Sequence, residues 1–431
     1  MRNLVFFGAM AAMLPLAVWK PFVGILLWSW ISFMNPHREL WGAVTNLPWA
    51  QMVVLCTFAG CVFAREPRRI PLDAVSALLV LLLVHFTVTT IVGLGYPDDA
   101  WEKWDRAMKM IVVLLLTAAL LTDRDRLHAL LWLMVICLGY YGVRAGLFTL
   151  ATGGGWRVFG PPMTMIADNN HVGTAMLVAI PLMNWLRMQS RHRWIRIGIL
   201  AAMVLTLFGV LGTHSRGALV ALAAASVVLW FRSRRKLIGG AVMAVALVGA
   251  VAFMPQNWVD RMESITTYQE DASATTRLKL WEVSFLLAMD RPLTGAGFRG
   301  PYTREAVDRV MPEGPARAVH SIWFEVMGEH GFLGFFLWLC LTAAGFLYAQ
   351  RMIWLARGRS ELQWAGDLGR MSQVSIVAYL AGGTFLSLAY WDYHWTLMVA
   401  LAAAHRLAKE QLSPAAAAGW RPQPSHRAVP A

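Results

Sequence analysis

Gly212-Thr213-His214-Ser215-Arg216-Gly217 is a short polar turn caught between two apolar runs, 195–212 and 217–231. Each run approaches the roughly 20 residues a helix needs to cross the hydrocarbon core of a bilayer. A turn this tight returns the chain at once, so the two runs read as adjacent antiparallel membrane helices. Outward from it, apolar runs continue to alternate with short polar connections. Spans fall near 4–34 (with a possible break at Lys20-Pro21), 50–64, 72–95, 107–121, 127–149, 170–186, 195–212, 217–231, 237–254, 321–350, 372–390 and 394–405. The expected fold class is an all-α polytopic membrane protein of about 12 transmembrane helices, with a long periplasmic loop containing short amphipathic helices.

Composition agrees: 58% of the 431 residues are hydrophobic and the mean hydropathy is +0.51. The net charge of +13 sits in short connections between spans, where retention of Lys and Arg on the cytoplasmic side explains it. No basic stripe occupies a soluble domain, so nucleic acid is not an expected partner. Cys56, Cys61, Cys137 and Cys340 fall inside apolar runs without metal-ligand spacing and read as packing residues. Arg2 precedes an apolar run with no small-residue cleavage pattern, which reads as an uncleaved signal anchor.

Basic clusters at Arg65/Arg68/Arg69, Arg124/Arg126, Arg187/Arg191/Arg193/Arg196, Arg232/Arg234/Arg235/Lys236 and Arg351/Arg357/Arg359/Arg370 fall on one side under this count. That side is assigned to the cytoplasm, together with both termini. The expected organisation is an N-terminal transmembrane half (1–190), the helices flanking the Arg216 turn (191–253), a periplasmic loop (254–320), C-terminal helices (321–411) and a disordered, Ala- and Pro-rich tail (412–431). Asp123-Arg124-Asp125 has the look of a metal-holding acidic pair but lies on the cytoplasmic side, and no acidic cluster faces outward. The chemistry is therefore expected to need neither metal nor cofactor.

The opposite face is unusually rich in arginine: Arg38, Arg106, Arg157, Arg216, Arg261, Arg277, Arg291, Arg299, Arg304, Arg309 and Arg317. Many can pair with the acidic residues of the same loop. The remainder call for an anionic ligand, with Arg38, Arg157, Arg291 and Arg299 as candidate substrate contacts. Arg216 is pinned close to the membrane surface, where a planar guanidinium can grip a pyrophosphate through paired N–H donors. Thr276 to Leu286 repeats apolar residues at helical spacing and reads as an interfacial amphipathic helix carrying Arg277. Pro292-Leu293-Thr294-Gly295-Ala296-Gly297 breaks it, and its glycines let backbone approach a ligand or a helix.

His320 ends the polar loop, followed by Ser321 and a polar first turn of the next span. Its imidazole can accept a proton at neutral pH, which suits activation of a sugar hydroxyl. Asp392, in the last outward turn, is placed to orient His320 or an arginine. Asp168, Asn169 and His171 begin the sixth span, as sugar ligands or as helix caps.

In order and spacing, Thr213-His214-Ser215-Arg216-Gly217, then Arg277…Trp281…Pro292 to Gly297, then His320-Ser321…Glu329-His330-Gly331-Phe332-Leu333-Gly334 resemble the O-antigen ligase and polymerase superfamily of bacterial inner membranes. Phe33-Met34-Asn35-Pro36-His37-Arg38 is similar to O-glycosylation ligases associated with exosortase systems. The resemblance implies periplasmic, inverting transfer of a glycan from undecaprenyl pyrophosphate to lipid A-core, amid membrane lipids. It makes His320 the catalytic base and gives Arg216 and Arg277 to the pyrophosphate. Asp392 becomes the late acidic residue, and Ser321 stands where the family often has Asn. A polymerase or a protein O-oligosaccharyltransferase would use almost the same residues. A flippase for polyprenyl-linked glycans is the alternative from a different class.

Overall fold

The computed structural model describes residues 2–232, 252–263 and 272–413, with isolated positions at 237, 240, 248 and 249. Among these residues the regular structure is entirely helical. The expected span 237–254 and the tail after 413 lie largely outside the described residues.

The first apolar run is two helices, α1 (Arg2–Trp19) and α2 (Pro21–Met34). The break falls at Lys20, whose backbone is non-helical (φ −129°, ψ 89°) as the residue before a proline prefers, and Pro21 suits the first position of α2. Asn3 Nδ2 donates to the carbonyl of Trp41 at 2.8 Å, so the chain begins at the same end of the bundle as the connection after α2. The C-terminal helix finishes at the other end, where Glu410 pairs with Arg69. The start of α1 and the end of the last helix thus lie at opposite ends of the bundle, whereas both termini were expected on one side.

The chain continues through α3 (Trp49–Phe63), α4 (Ala74–Ile91), α5 (Pro97–Leu120), α6 (Arg124–Ala151), α7 (Asn169–Gln189), α8 (Arg193–Gly212) and α9 (Arg216–Arg232). After α10 (Gln256–Glu263), α11 (Ala272–Asp290) and the short α12 (Arg304–Asp308) come α13 (Ile322–Leu355), α14 (Gln363–Gly383) and α15 (Asp392–Gln411). Among the described residues five helices, α1, α4, α6, α8 and α13, are long and apolar enough to cross a membrane, and α2, α3 and α9 are shorter apolar helices. By that measure alone the expected twelve are not reached. The reason is visible in α7, α14 and α15, which are buried along most of their length. Neighbouring helices shield them, so they tolerate polar residues that lipid would not.

One end of the bundle, the far end, is stitched by Arg126 to Glu66 at 2.8 Å, Trp185 Nε1 to the Trp364 carbonyl at 3.0 Å and Arg406 to the Leu121 carbonyl at 2.6 Å. Asp123 caps α6 there, accepting from Arg126 N at 2.9 Å, a structural role for the acidic pair. The opposite, site end joins Asn169 Nδ2 to the Thr213 carbonyl (2.8 Å) and Val158 N to the Gly212 carbonyl (2.9 Å). All four cysteines are free thiols, and Cys137 is buried.

Helices α6 and α8 approach closely because small residues face each other. A Cβ added at Gly146 would lie 2.0 Å from the Leu205 carbonyl oxygen, and one at Gly142 would lie 2.2 Å from Thr206 Oγ1. Gly142 and Gly146 are four apart on one helical face, the small-xxx-small spacing that lets membrane helices touch through backbone. A side chain at Gly198, also on α8, would meet nothing within 4 Å. We predict that Gly146→Leu destabilises the detergent-purified protein by about 3 kcal/mol or more, since backbone rather than a side chain must give way. Gly198→Leu is expected to stay within about 0.5 kcal/mol of the parent in the same denaturation series.

Candidate functional site

The site end is organised by a kink in α13. Gly331 has φ +67° and ψ −172°, a backbone shape that an L side chain resists, and it separates a short first segment from the long span. Opening the helix exposes carbonyls and N–H groups that the Pro292–Gly297 turn satisfies. Ala296 N donates to the Gly328 carbonyl at 2.9 Å, Gly297 N to the Glu329 carbonyl at 2.8 Å, and Phe332 N to the Pro292 carbonyl at 2.8 Å. A Cβ on Gly295 would sit 2.5 Å from Gly331 N. The glycines of this turn thus serve a helix and not a dinucleotide.

The first segment of α13 carries Glu325 and Glu329, four residues apart and both buried. Lys103 of α5 reaches between them, its Nζ 2.8 Å from Glu325 Oε1 and 2.8 Å from Glu329 Oε1. Glu329 also accepts from Tyr390 OH at 2.7 Å and from Arg299 N at 2.8 Å. Glu325 Oε2 is buried with no hydrogen-bond partner among the described residues. The Lys103 ammonium lies 4.6 Å from the centre of the Tyr390 ring. Two carboxylates at this spacing in a dry setting repel each other, so the shared cation is what makes the arrangement tenable.

His320 sits one turn before this cluster, on backbone with φ +53°, a left-handed conformation costing roughly 1–2 kcal/mol for an L residue. Its N–H donates to Ser387 Oγ at 3.1 Å. Tyr302 also bonds Ser387, and its OH lies 3.4 Å from Glu325 Oε1, which links the histidine backbone to the buried cluster. Burial holds the imidazole pKa below its usual value, with Arg277 and His171 pushing the same way and Glu325 and Asp168 opposing. His320 therefore favours the neutral, proton-accepting form near pH 7. Ser321 caps α13 by position, but its buried Oγ has no partner among the described residues.

Arg277 and Trp281 lie one turn apart on α11, on the same face. Trp281 Nε1 donates to the Val319 carbonyl at 3.2 Å, and its ring stacks on Phe324 at 5.2 Å, which carries that face to the residue before His320. Arg216 opens α9, whose first turn is capped by Ser215 Oγ accepting from Ala218 N at 3.1 Å. Next to it, the space a Cβ on Gly217 would occupy is 3.6 Å from the Phe385 ring, which itself lies 6.3 Å from Trp281. The connection 385–387 is thus the common neighbour of the segments carrying Arg216, Arg277 and His320. Asp168, beside His171 at 3.3 Å, is held well below the usual carboxylate range, chiefly by that hydrogen bond.

Other candidates part company. Arg291 donates to the Val92 carbonyl at 2.8 Å, and Arg299 lies 3.3 Å from Asp99, so both tie the 291–299 segment to the α4–α5 connection. Asp392 bonds Ser32 Oγ and accepts from Tyr393 N at 2.8 Å. It fastens α15 to α2, which corrects the expectation that it orients His320. His214 donates Nε2–H to the Gly154 carbonyl at 2.9 Å, a structural tie. Arg38 and Arg157 line a separate cavity. Lys103, Glu325, Glu329, Tyr302 and Ser387 were not singled out from the sequence. The pair Glu325 and Glu329 was the available signal, since two like charges on one face of an apolar helix require a cation.

Two family profiles divide the chain. Residues 1–191 match a family of unknown function (DUF5935), and residues 201–339 match the O-antigen ligase family. A comparison with curated proteins found no match. The second match holds the Arg216 turn, Arg277, His320 and both buried glutamates in the order described above, and Lys103 reaches them from the first. Residues 201–339 of this chain, about a third of its length, are therefore similar to the O-antigen ligase family.

Proposed function

We propose that the protein is an inverting glycosyltransferase that moves a glycan from undecaprenyl pyrophosphate to lipid A-core oligosaccharide at the periplasmic face of the bacterial inner membrane. The observation that carries this reading is the neutral-leaning imidazole of His320, held in a strained backbone beside Arg277 and on the connection that Arg216 adjoins. Strained, non-glycine left-handed residues persist where the surroundings over-determine them, which is common at reacting centres.

His320 takes the proton of an acceptor hydroxyl as its oxygen attacks the anomeric carbon of the donor. The bond from that carbon to the pyrophosphate oxygen breaks, and the electron pair leaves with the diphosphate. Attack from the face opposite the leaving group inverts the anomeric configuration. Arg216 and Arg277 hold the growing negative charge, and fixed cations in a site that excludes water are worth more than in bulk solvent. Ser321, whose buried hydroxyl has no partner among the described residues, is the acceptor contact in this reading. Because the donor brings its own leaving group, the chemistry requires a base and cations only.

The test is reconstitution of the purified protein with polyprenyl-pyrophosphate glycan and lipid A-core. His320→Ala is expected to lower kcat by roughly 10²- to 10⁴-fold with donor binding retained. A flippase would instead keep moving substrate. Arg216→Lys should cost roughly 10- to 100-fold in kcat/KM, because a point charge does not reproduce a bidentate fork. Parent-like turnover in either variant sinks the assignment of that residue.

The pH dependence has a definite sign. His320 must be unprotonated, so kcat rises with pH through a midpoint below the ordinary histidine value. Arg277→Gln removes a charge that disfavours imidazolium, and the midpoint should move up. Glu325→Gln removes one that favours it, and the midpoint should move down. Profiles that shift together, or do not shift, would refute the placement of these two charges around the base.

A further inference from the structure

The half of the chain that matches a family of unknown function contains a cavity apart from the Lys103 cluster. It has a volume of about 600 Å3, opens to the surface at the site end, and lies between α6, the 36–41 connection and the 157–162 segment. Arg2, Arg38, Arg144 and Arg157 line it against a single carboxylate, Glu39. Glu39 is committed to Arg144 at 2.6 Å, and Arg38 reaches only the Thr45 carbonyl, at 3.3 Å. Arg157 is exposed to the cavity, and no hydrogen bond or ion pair engages it among the described residues. A cavity of this size accommodates a small ligand, and its surplus of guanidinium selects an anionic one.

The remaining lining identifies the class more closely. Trp41, Tyr141 and Phe159 place flat aromatic surface beside the arginines. Trp41 is 79% exposed and Phe159 62% exposed, so neither is occupied by packing within the protein. An aromatic belt at a membrane interface explains such rings, but it does not explain guanidiniums converging on one hollow. Aromatic faces with paired N–H donors suit a sugar that bears phosphate.

The cavity is next to the site already described. Val172 lines it, and the preceding residue, His171, is one of the charges acting on His320. Val158, also in the lining, donates its N–H to the carbonyl of Gly212 at the end of α8, where the turn leading to Arg216 begins. The first turn of α7 thus adjoins the cavity through Val172 and His320 through His171.

We propose that this cavity is the acceptor subsite, in which Arg38 and Arg157 bind the phosphate groups of the acceptor oligosaccharide while the aromatic rings carry its sugar faces. The inference rests on the glycosyl-transfer reading and adds to it that the N-terminal half chooses the acceptor. The donor remains with Arg216 and Arg277. Phosphate is also the headgroup chemistry of phospholipids, and the test must separate the two.

The full-length protein is placed in nanodiscs of phosphatidylcholine, and binding of fluorescent lipid A-core is measured alongside steady-state transfer. Three forms are compared: the parent, Arg38→Gln/Arg157→Gln, and the Arg157→Lys variant that keeps the charge. The expected result is at least a tenfold loss of affinity for lipid A-core in the double variant and an intermediate loss for Arg157→Lys. Donor KM should be unchanged. Lipid A-core stripped of phosphate with hydrofluoric acid should bind the parent and the double variant equally weakly. Equal binding of intact lipid A-core by parent and double variant would overturn the proposal, as would a rise confined to donor KM. Displacement of lipid A-core by phosphatidylglycerol at equal concentration would overturn it in favour of a membrane-lipid site. Arginine-dependent binding without any transfer by the parent would remove the transferase reading alone, and transfer unaffected by the double variant would remove the acceptor subsite alone.

Discussion

A lysine held between two glutamates sets the geometry of the site end. Lys103 lies in the segment that matches the family of unknown function and Glu325 and Glu329 in the segment similar to the O-antigen ligase family, so the contact is also the clasp between two separately matched parts of the chain. Buried charge of this kind is tolerated only when paired and hydrogen-bonded, and removal of one member of such a pair typically costs about 3–5 kcal/mol. Tyr390 and the backbone of Arg299 complete the shell of Glu329. The cost of burying three charges makes a purely stabilising role a poor explanation, because well-packed apolar residues usually do as well. Their arrangement around Tyr302 and Ser387, the partners nearest the backbone of His320, offers a better one.

The kink at Gly331 explains why the clasp falls where it does. A straight α13 would keep Gly328 and Glu329 in the helical ladder, with no carbonyls left for the 292–297 turn. Once the ladder opens, that turn docks by backbone alone, and Arg299 follows it to within bonding distance of Glu329. The polar loop expected over 254–320 is, over residues 291–320, a structured cover pinned to α13 at one side and to the start of α5 and the end of α4 at the other. This gives His320 fixed surroundings from which a strained backbone can be held.

The sequence made the helical bundle legible, because apolar runs and arginine-rich connections obey the same physics wherever they occur. It also singled out His320, Arg216 and Arg277 as candidates from local signals: the start of a span, a tight turn, an amphipathic helix. Contacts between distant segments were not legible. Lys103 lay in what read as an outward connection, and nothing local says that it turns inward to meet residues more than two hundred positions later. Asp392 failed for the same reason, since its partner Ser32 is 360 residues away. The position of the N-terminus depended on whether one proline broke a helix, and a single crossing reverses everything before it.

The outward arginines divide by what already holds them. Arg299, Arg304 and Arg309 pair with Asp99, Asp308 and Asp290, Arg106 pairs with Glu102, and Arg291 is spent on a backbone carbonyl. Such pairs are mostly exposed and add little stability, but they remove these cations from competition for a ligand. Arg38 and Arg157 line the cavity beside α7's first turn, and Arg216 and Arg277 lie on the segments that meet around the 385–387 connection. In the transfer proposed above, a single undivided cationic patch would let either substrate occupy both places, whereas a helical turn between two stations would keep donor and acceptor apart until a hydroxyl is presented to the base.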